Sequence, residues 1–353
     1  MGCASSKNGE DPQALARNRS IEAQLARDRQ ELAREVKMLI LGTGESGKST
    51  VMKQMTIMHC GGFSDEERVA YAEIIFSNTV QSMQAVLEAL PLLSVVLLPS
   101  NQEAAYLVEE VDPDERSTDK ELQDALVALW NDPAVRAVLE VKSRFQINDS
   151  AEYYFQALQR TFNEAYLPSD QDIIRSRVRT TGIVENSFAV GKQRYRIFDV
   201  GGQRSERKKW VHCFEGVNVL LFLVAISEYD QMLYEDETQS RMSEALTVFE
   251  SITNSRWFAK STLVLFLNKI DLFKEKLPKS SLRNAFPGYR GDDESYEDAA
   301  AFILQQFKQL YIQPRPFYSH LTEATDTAGI QVVINVVQDT ILRDMLASSG
   351  ILE

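Results

Sequence analysis

Residues 42–49, Gly-Thr-Gly-Glu-Ser-Gly-Lys-Ser, match the spacing G-x-x-x-x-G-K-[ST] without deviation. That spacing does phosphate chemistry. Gly42 and Gly47 let backbone N–H groups approach phosphate oxygens, and the following helix presents its N-terminus to them. Lys48 reaches the outer phosphates, and Ser49 offers its hydroxyl to Mg²⁺. Glu45, Ser46 and Thr50 are the remaining residues of the cradle. The bland alternative is a glycine turn capped by serine. A strand-like run before the loop and a helix-like run after it favour the cradle. It names a nucleoside triphosphate but not its base.

The base is named by Asn268-Lys269-Ile270-Asp271, which ends an apolar run, where ligands sit in α/β sheets. A carboxylate at Asp271 accepts hydrogen bonds from guanine N1–H and the 2-amino group, and adenine has neither donor. Asn268 can read the opposite edge of the base and brace the loops, while the methylenes of Lys269 can lie across the ring. Alone, N-K-x-D is a weak pattern whose bland reading is a polar loop. Following a phosphate loop in this chain order, it points to GTP. In Thr322-Glu323-Ala324-Thr325, the Ala324 N–H is a candidate donor to guanine O6, with Thr325 close by.

Two further stretches carry a trigger. In Asp199-Val200-Gly201-Gly202-Gln203, Asp199 can hold Mg²⁺ through water, and Gly202 can turn its N–H toward a γ-phosphate. Gln203 is the candidate to orient an attacking water, since phosphoryl transfer needs positioning and charge stabilisation more than a strong base. In residues 173–183, Thr180 can ligate Mg²⁺ when a γ-phosphate is present, and Arg177 can place a guanidinium on the developing negative charge. By composition, Arg175 and Arg179 compete for that second role. The bland reading has all three arginines offsetting local acidic charge.

These residues need a sheet to hold them. Residues 36–41 read as a buried strand and 48–59 as a helix ended by Gly61-Gly62. Residues 63–175 are helical in period, and Ser64 with Glu67 predicts a capping box at their start. The apolar, Pro-bounded stretch 91–100 reads as a buried turn or a short helix. Strands return after residue 182, at 183–190, 193–200, 219–225, 262–268 and 315–321, alternating with helices at 242–255, 297–310 and 328–347. The first two strands predict a hairpin and the rest a parallel sheet. The acidic stretch 227–238 reads as a loop facing the helical insert. The fold class is therefore α/β with an inserted all-helical domain. Its parts are an N-terminal amphipathic helix within 1–35, an α/β domain of 36–61 with 177–353, and the insert 62–176.

A net charge of −13 argues against broad nucleic-acid binding, which needs a basic footprint. Three cysteines, Cys3, Cys60 and Cys213, fit a reducing compartment better than a disulfide scaffold. No apolar run approaches the roughly 20 residues of a membrane span. Met1-Gly2-Cys3-Ala4-Ser5-Ser6 fits a myristoylation pattern at Gly2 with Cys3 placed for palmitate, and two acyl chains anchor stably where one does not.

Taken in order, Met1-Gly2-Cys3, residues 42–50, 177–183, 199–210, 268–271 and 322–325 make the chain resemble the α subunits of heterotrimeric G proteins, from about residue 30 to the end. Residues 222–231, 235–238 and 254–258 look most like fungal members near the inhibitory class. The resemblance implies a Ras-like P-loop GTPase domain carrying the helical insert, and hydrolysis of GTP to GDP and phosphate. It puts Arg177 in the place of the intrinsic arginine finger and Gln203 in that of the water-positioning glutamine. It puts Ser49 and Thr180 in the Mg²⁺-ligand places, Asp149 and Ser150 where the insert touches nucleotide, and Ile174 and Arg175 near the ribose. It also implies partners: a βγ dimer held in the GDP form by residues 200–215 and the N-terminal helix, and a seven-helix receptor on the C-terminal helix and tail. An effector and a hydrolysis-accelerating regulator would meet the switch regions, at the cytoplasmic face of the plasma membrane. Thr43 replaces a common alanine, Arg179 a common lysine and Glu323 a usual Cys or Thr; Glu353 extends the usual end.

Two rivals compete with this reading. A P-loop kinase or ATPase needs none of the NKID, TEAT or DVGGQ motifs. A GTP-binding scaffold that never hydrolyses would keep them all and be indifferent to Gln203→Leu.

Overall fold

The computed structural model describes residue 17 and residues 20–24, 35–142, 145–191 and 193–348. Gly2 and Cys3, most of the predicted N-terminal helix and the tail from Ser349 to Glu353 lie outside them. Residues 17 and 20–24 are helical, with Ile21 exposed.

Six strands form the main sheet: β1 (Glu35–Leu41), β2 (Ile183–Val190), β3 (Gln193–Val200), β4 (Val219–Ala225), β7 (Thr262–Asn268) and β8 (Phe317–Thr322). Their order is β2-β3-β1-β4-β7-β8. Within this sheet, among the described residues, only the β2–β3 pair is antiparallel, with Ile183 opposite Val200 and Val190 opposite Gln193. β4 and β7 are buried at every position, as strands covered on both faces must be, and so they read as unbroken apolar runs.

The period of two in β1 divides its side chains between two cores. Val36, Met38 and Ile40 pack with Val51 and Met55 of helix α1 (Lys48–His59) and with Ile330, Ile334 and Ile341 of the last helix (Thr327–Ser348). Leu39 and Leu41 join the opposite core with Phe249, Ile303 and Phe307, from the helices Arg241–Thr253 and Tyr296–Leu310. Because β3 and β4 flank β1, the strand order reverses there. That leaves a crevice beyond the carboxyl ends of the strands, where ligands of open α/β sheets bind.

The chain leaves this layer after α1 through Gly61 and Gly62, whose φ values of +84° and +82° favour glycine. Helix α2 (Asp65–Leu92) then opens with the expected capping box: Ser64 Oγ accepts from Glu67 N at 3.3 Å, and Glu67 Oε2 accepts from Ser64 N at 2.8 Å. α2 packs with shorter helices, among them α3 (Lys120–Trp130) and α4 (Ala151–Gln156), around a core of its own that includes Val80, Met83, Leu126, Val138 and Phe155, and it also touches α5 (Asp170–Arg175).

Two expectations need correction. Residues 91–100 are not one element: a turn at 93–94 ends the helix, and a short 3-10 helix, Pro99–Asn101, begins at the far end. α2 runs through Pro91 to Leu92, and across the turn and the stretch that follows it Leu93, Val95 and Leu97 pack on the helical core while Leu92 and Val96 are each 81% exposed. The stretch 227–238 is not a plain loop but carries a short antiparallel ribbon of β5 (Met232–Leu233) and β6 (Asp236–Ser240). A two-residue strand gives no period to read. The ribbon does face the insert, since Gln146 Nε2 donates to Met232 O at 3.5 Å.

Candidate functional site

The phosphate loop hangs between β1 and α1. Glu45 takes a left-handed φ of +63°, unusual for a side chain of its size, and Gly47 takes +98° at the helix entrance. A Cβ on Gly47 would stand 2.2 Å from Asn268 Nδ2, so only glycine fits. Lys48 is buried and folds back over the loop, its Nζ donating to Thr43 O at 2.7 Å. Burial pulls its pKa down to about 8, against the attraction of Asp199. Thr43 is itself buried, and its carbonyl also accepts from Ser46 Oγ at 3.0 Å.

Three oxygens meet just beyond the lysine. Ser49 Oγ lies 2.7 Å from Thr180 Oγ1 and donates to Asp199 Oδ2 at 2.6 Å, although the partners are 131 and 150 residues away along the chain. Asp199 is the penultimate residue of β3, and burial raises its carboxyl pKa, opposed by Lys48 and the Ser49 hydrogen bond. Its Oδ1 is buried without a hydrogen-bond partner. Two hydroxyls and a carboxylate with an orphaned oxygen are a hard-oxygen donor set, and they fit Mg²⁺.

The base-side loops are tied together by one amide. Asn268 Nδ2 donates to Ser46 O at 2.9 Å, while its Oδ1 accepts from Ala324 N at 3.0 Å and from Thr322 Oγ1 at 3.1 Å. Asn268 thus braces loops, as expected. The Ala324 N–H is thereby bonded to Asn268. Lys269 Nζ is held by Asp149 Oδ2 at 2.6 Å and Glu228 Oε1 at 2.5 Å, which joins the base loop to the insert. Burial opposes the Lys269 charge, but these carboxylates raise its pKa overall; burial likewise opposes the Asp149 charge, and Lys269 lowers its pKa overall. Asp271, Ile174, Thr50, Ser150 and Thr325 line the same cleft. Glu323 accepts from Thr325 Oγ1 at 3.2 Å, and burial, then the charge of Asp271, raise its pKa.

All three candidate arginines border the cleft. Arg175 stacks over the Tyr153 ring at 4.9 Å, whereas Arg177 pairs with the phosphate loop through Glu45 at 2.6 Å. Gly202 touches the loop so closely that a Cβ would lie 2.3 Å from Lys48 Nζ and 2.5 Å from Thr43 O. Gln203 lines the cleft with its Oε1 buried and unpartnered. Trp210 Nε1 donates to Gly201 O at 2.8 Å, which ties a buried fluorophore to this segment.

Sequence reasoning missed the side chains that hold the return from the insert. Lys53 Nζ donates to Ile173 O at 2.9 Å and to Ser176 O at 2.7 Å, and Asn78 bonds both backbone groups of Arg177. Arg241 Nη1 bridges Glu45 and Glu228 at 2.9 and 3.1 Å. One signal was available for Lys53: it stands one turn beyond Ser49, on the face of α1 that turns inward.

Comparison with known proteins supplies the wider context. Residues 15–341 match the family described as G-protein alpha subunit. The chain is 52% identical to a guanine nucleotide-binding protein subunit alpha of Coprinellus congregatus over 356 residues, 100% of each chain. It is 51% identical over 358 residues to the guanine nucleotide-binding protein alpha-1 subunit of Neurospora crassa, and 50% identical over 356 residues to a subunit alpha of Emericella nidulans, again over 100% of each chain.

Proposed function

The chain belongs to the G-protein alpha subunit family, and on that premise we propose that it is the GTP-hydrolysing switch of a heterotrimeric G protein. One observation carries the residue roles: Ser49, Thr180 and Asp199 converge beside Lys48, Gly202 and Gln203 at the mouth of one cleft. GTP lies with its phosphates on residues 42–50 and its base against Asp271, and Lys48 exchanges the Thr43 carbonyl for phosphate oxygens. Ser49, Thr180 and, through water, Asp199 hold Mg²⁺, which supplies positive charge to the outer phosphates. Gln203 orients a water whose oxygen attacks the γ-phosphorus; the bond to the β–γ bridging oxygen breaks, leaving GDP and inorganic phosphate. Arg177 leaves Glu45 to meet the charge that develops on the transferred group.

The γ-phosphate draws Thr180 and Gly202 inward, and its loss releases them, so the 200–215 segment reports the nucleotide. In the GDP form that segment and the N-terminal helix bind the βγ dimer; in the GTP form βγ is released and the switch segments bind an effector and a hydrolysis-accelerating regulator. A seven-helix receptor acts through the tail and the last helix, and that helix begins just after the Ala324 loop. Acyl groups on Gly2 and Cys3 hold the protein to the cytoplasmic face of the plasma membrane. The division into residues 1–35, 36–61 with 177–353, and 62–176 follows the same scheme.

The test is nucleotide competition with single-turnover hydrolysis. GTP and GDP should displace a fluorescent guanine nucleotide where ATP does not, and Gln203→Leu should bind GTP yet scarcely hydrolyse it. Displacement by ATP at equal concentration would overturn the guanine assignment, and undiminished hydrolysis in Gln203→Leu the role of that glutamine.

A further inference from the structure

Arg177 is held by its backbone as well as by its side chain. Its N–H donates to Asn78 Oδ1 at 2.6 Å, and its carbonyl accepts from Asn78 Nδ2 at 3.0 Å. One amide side chain of α2 therefore satisfies both backbone groups of one residue 99 positions away, as a neighbouring strand would. Asn78 is buried, whereas the Arg177 side chain is 49% exposed beyond this anchored backbone. From the other side, Lys53 of α1 fixes the preceding carbonyls, donating to Ile173 O, Ser176 O and Ser176 Oγ at 2.7–2.9 Å. With its peptide groups fixed from two directions, the arginine moves only about its side-chain torsions.

We propose that Asn78 is a positioning residue for hydrolysis: it clamps the Arg177 backbone so that the guanidinium can swing between Glu45 and the phosphate end of the cleft. This rests on the role given above to Arg177. The clamp lies on a helix of the insert while the residue it holds leads into β2, so the arginine is in register only while the insert is seated on the sheet domain. Asn78 touches no nucleotide in this scheme and contributes no affinity of its own. Its worth is geometric, and a misplacement of about 1 Å slows an oriented reaction by up to about a hundredfold.

The experiment is a double-mutant cycle on the full chain with Mg²⁺ and GTP, comparing wild type, Asn78→Ala, Arg177→Ala and the double variant. Single-turnover hydrolysis, affinity for a fluorescent GTP analogue and thermal midpoint are read for each. Asn78→Ala should slow hydrolysis by about tenfold to a hundredfold with affinity changed by less than about twofold, and in the Arg177→Ala background it should slow it no further. The near-isosteric Asn78→Asp keeps the acceptor for the Arg177 N–H but sets an oxygen against its carbonyl; it should also be slow, and it decides the matter if the alanine variant does not fold. Wild-type hydrolysis in the Asn78 variants, or losses that multiply with that of Arg177→Ala, overturns the clamp alone. Wild-type hydrolysis in Arg177→Ala overturns the role of the arginine and the clamp with it.

Discussion

Glu45 Oε1 and Arg177 Nη2 lie 2.6 Å apart, so the phosphate loop and the return from the insert are joined by an ion pair. The other Glu45 oxygen is 2.9 Å from Arg241 Nη1. Burial works against the Glu45 charge, but Arg177, Arg241 and Lys269 outweigh it and keep the carboxyl below its usual range. The pair spans the cleft and holds the Arg177 guanidinium on Glu45. Because the Arg177 side chain is 49% exposed, its pair is worth at most about 1 kcal/mol. Arg177→Gln, which removes this pair and leaves that of Glu45 with Arg241, should therefore speed release of a fluorescent GDP analogue by no more than about fivefold. An acceleration of several hundredfold would make this pair the principal lock on the nucleotide.

Gly202 leaves no room for a side chain against Lys48 and the Thr43 carbonyl. In Gly202→Ala the segment must stand away from the phosphate loop, and Trp210, bonded to Gly201 O, must follow it. Wild-type tryptophan fluorescence should change on adding GTP and Mg²⁺ and revert as GTP is consumed. Gly202→Ala should bind GDP nearly as wild type does and show little of that change. A full fluorescence response in the variant would mean that the segment moves without approaching Lys48.

How much of this could be read beforehand follows from the range of each interaction. β4 and β7 are buried at every residue, so their apolar runs announced a covered parallel sheet. Ser64 and Glu67 are three residues apart, and their capping box was legible. Arg175, Arg177 and Arg179 could not be ranked by composition, because what separates them is a partner: the Tyr153 ring for one and Glu45 for another. Lys53 and Asn78 escaped notice for the same reason, since their partners lie 120 and 99 residues away. The bond from Ala324 N–H to Asn268 Oδ1 joins residues 56 positions apart, so no local pattern announces it.

Asp271 borders the base side of the cleft. As an acceptor it suits the N1–H and 2-amino donors of guanine. Asp271→Asn replaces one carboxylate oxygen by an NH₂ donor, which suits the 2-oxo group of xanthine instead. Affinity for GTP should fall by at least about a hundredfold, as when a buried donor is left facing a donor, while that for xanthosine triphosphate rises. Retained GTP preference in equilibrium competition would remove Asp271 from base recognition.

Lys53 gives the fold a pH dependence of definite sign. Burial lowers its pKa from 10.5 to about 7, against the attraction of Asp199, and the Tyr71 ring lies 5.3 Å from its Nζ. Between those two values the unfolded chain binds the extra proton and the folded chain does not. Stability from this residue must therefore rise as pH rises through the window, and the penalty of burying the charge is fully present below it. Lys48, lowered to about 8, adds a slope of the same sign, so the comparison must be between variants. Lys53→Met removes only the Lys53 contribution, together with its hydrogen bonds to Ile173 and Ser176. In urea unfolding at fixed nucleotide and Mg²⁺, the stability of wild type relative to Lys53→Met should increase from pH 7 toward pH 10. A constant difference across that range would mean that Lys53 keeps its proton in the folded protein, and that an ammonium, not an amine, holds the two carbonyls ahead of Arg177.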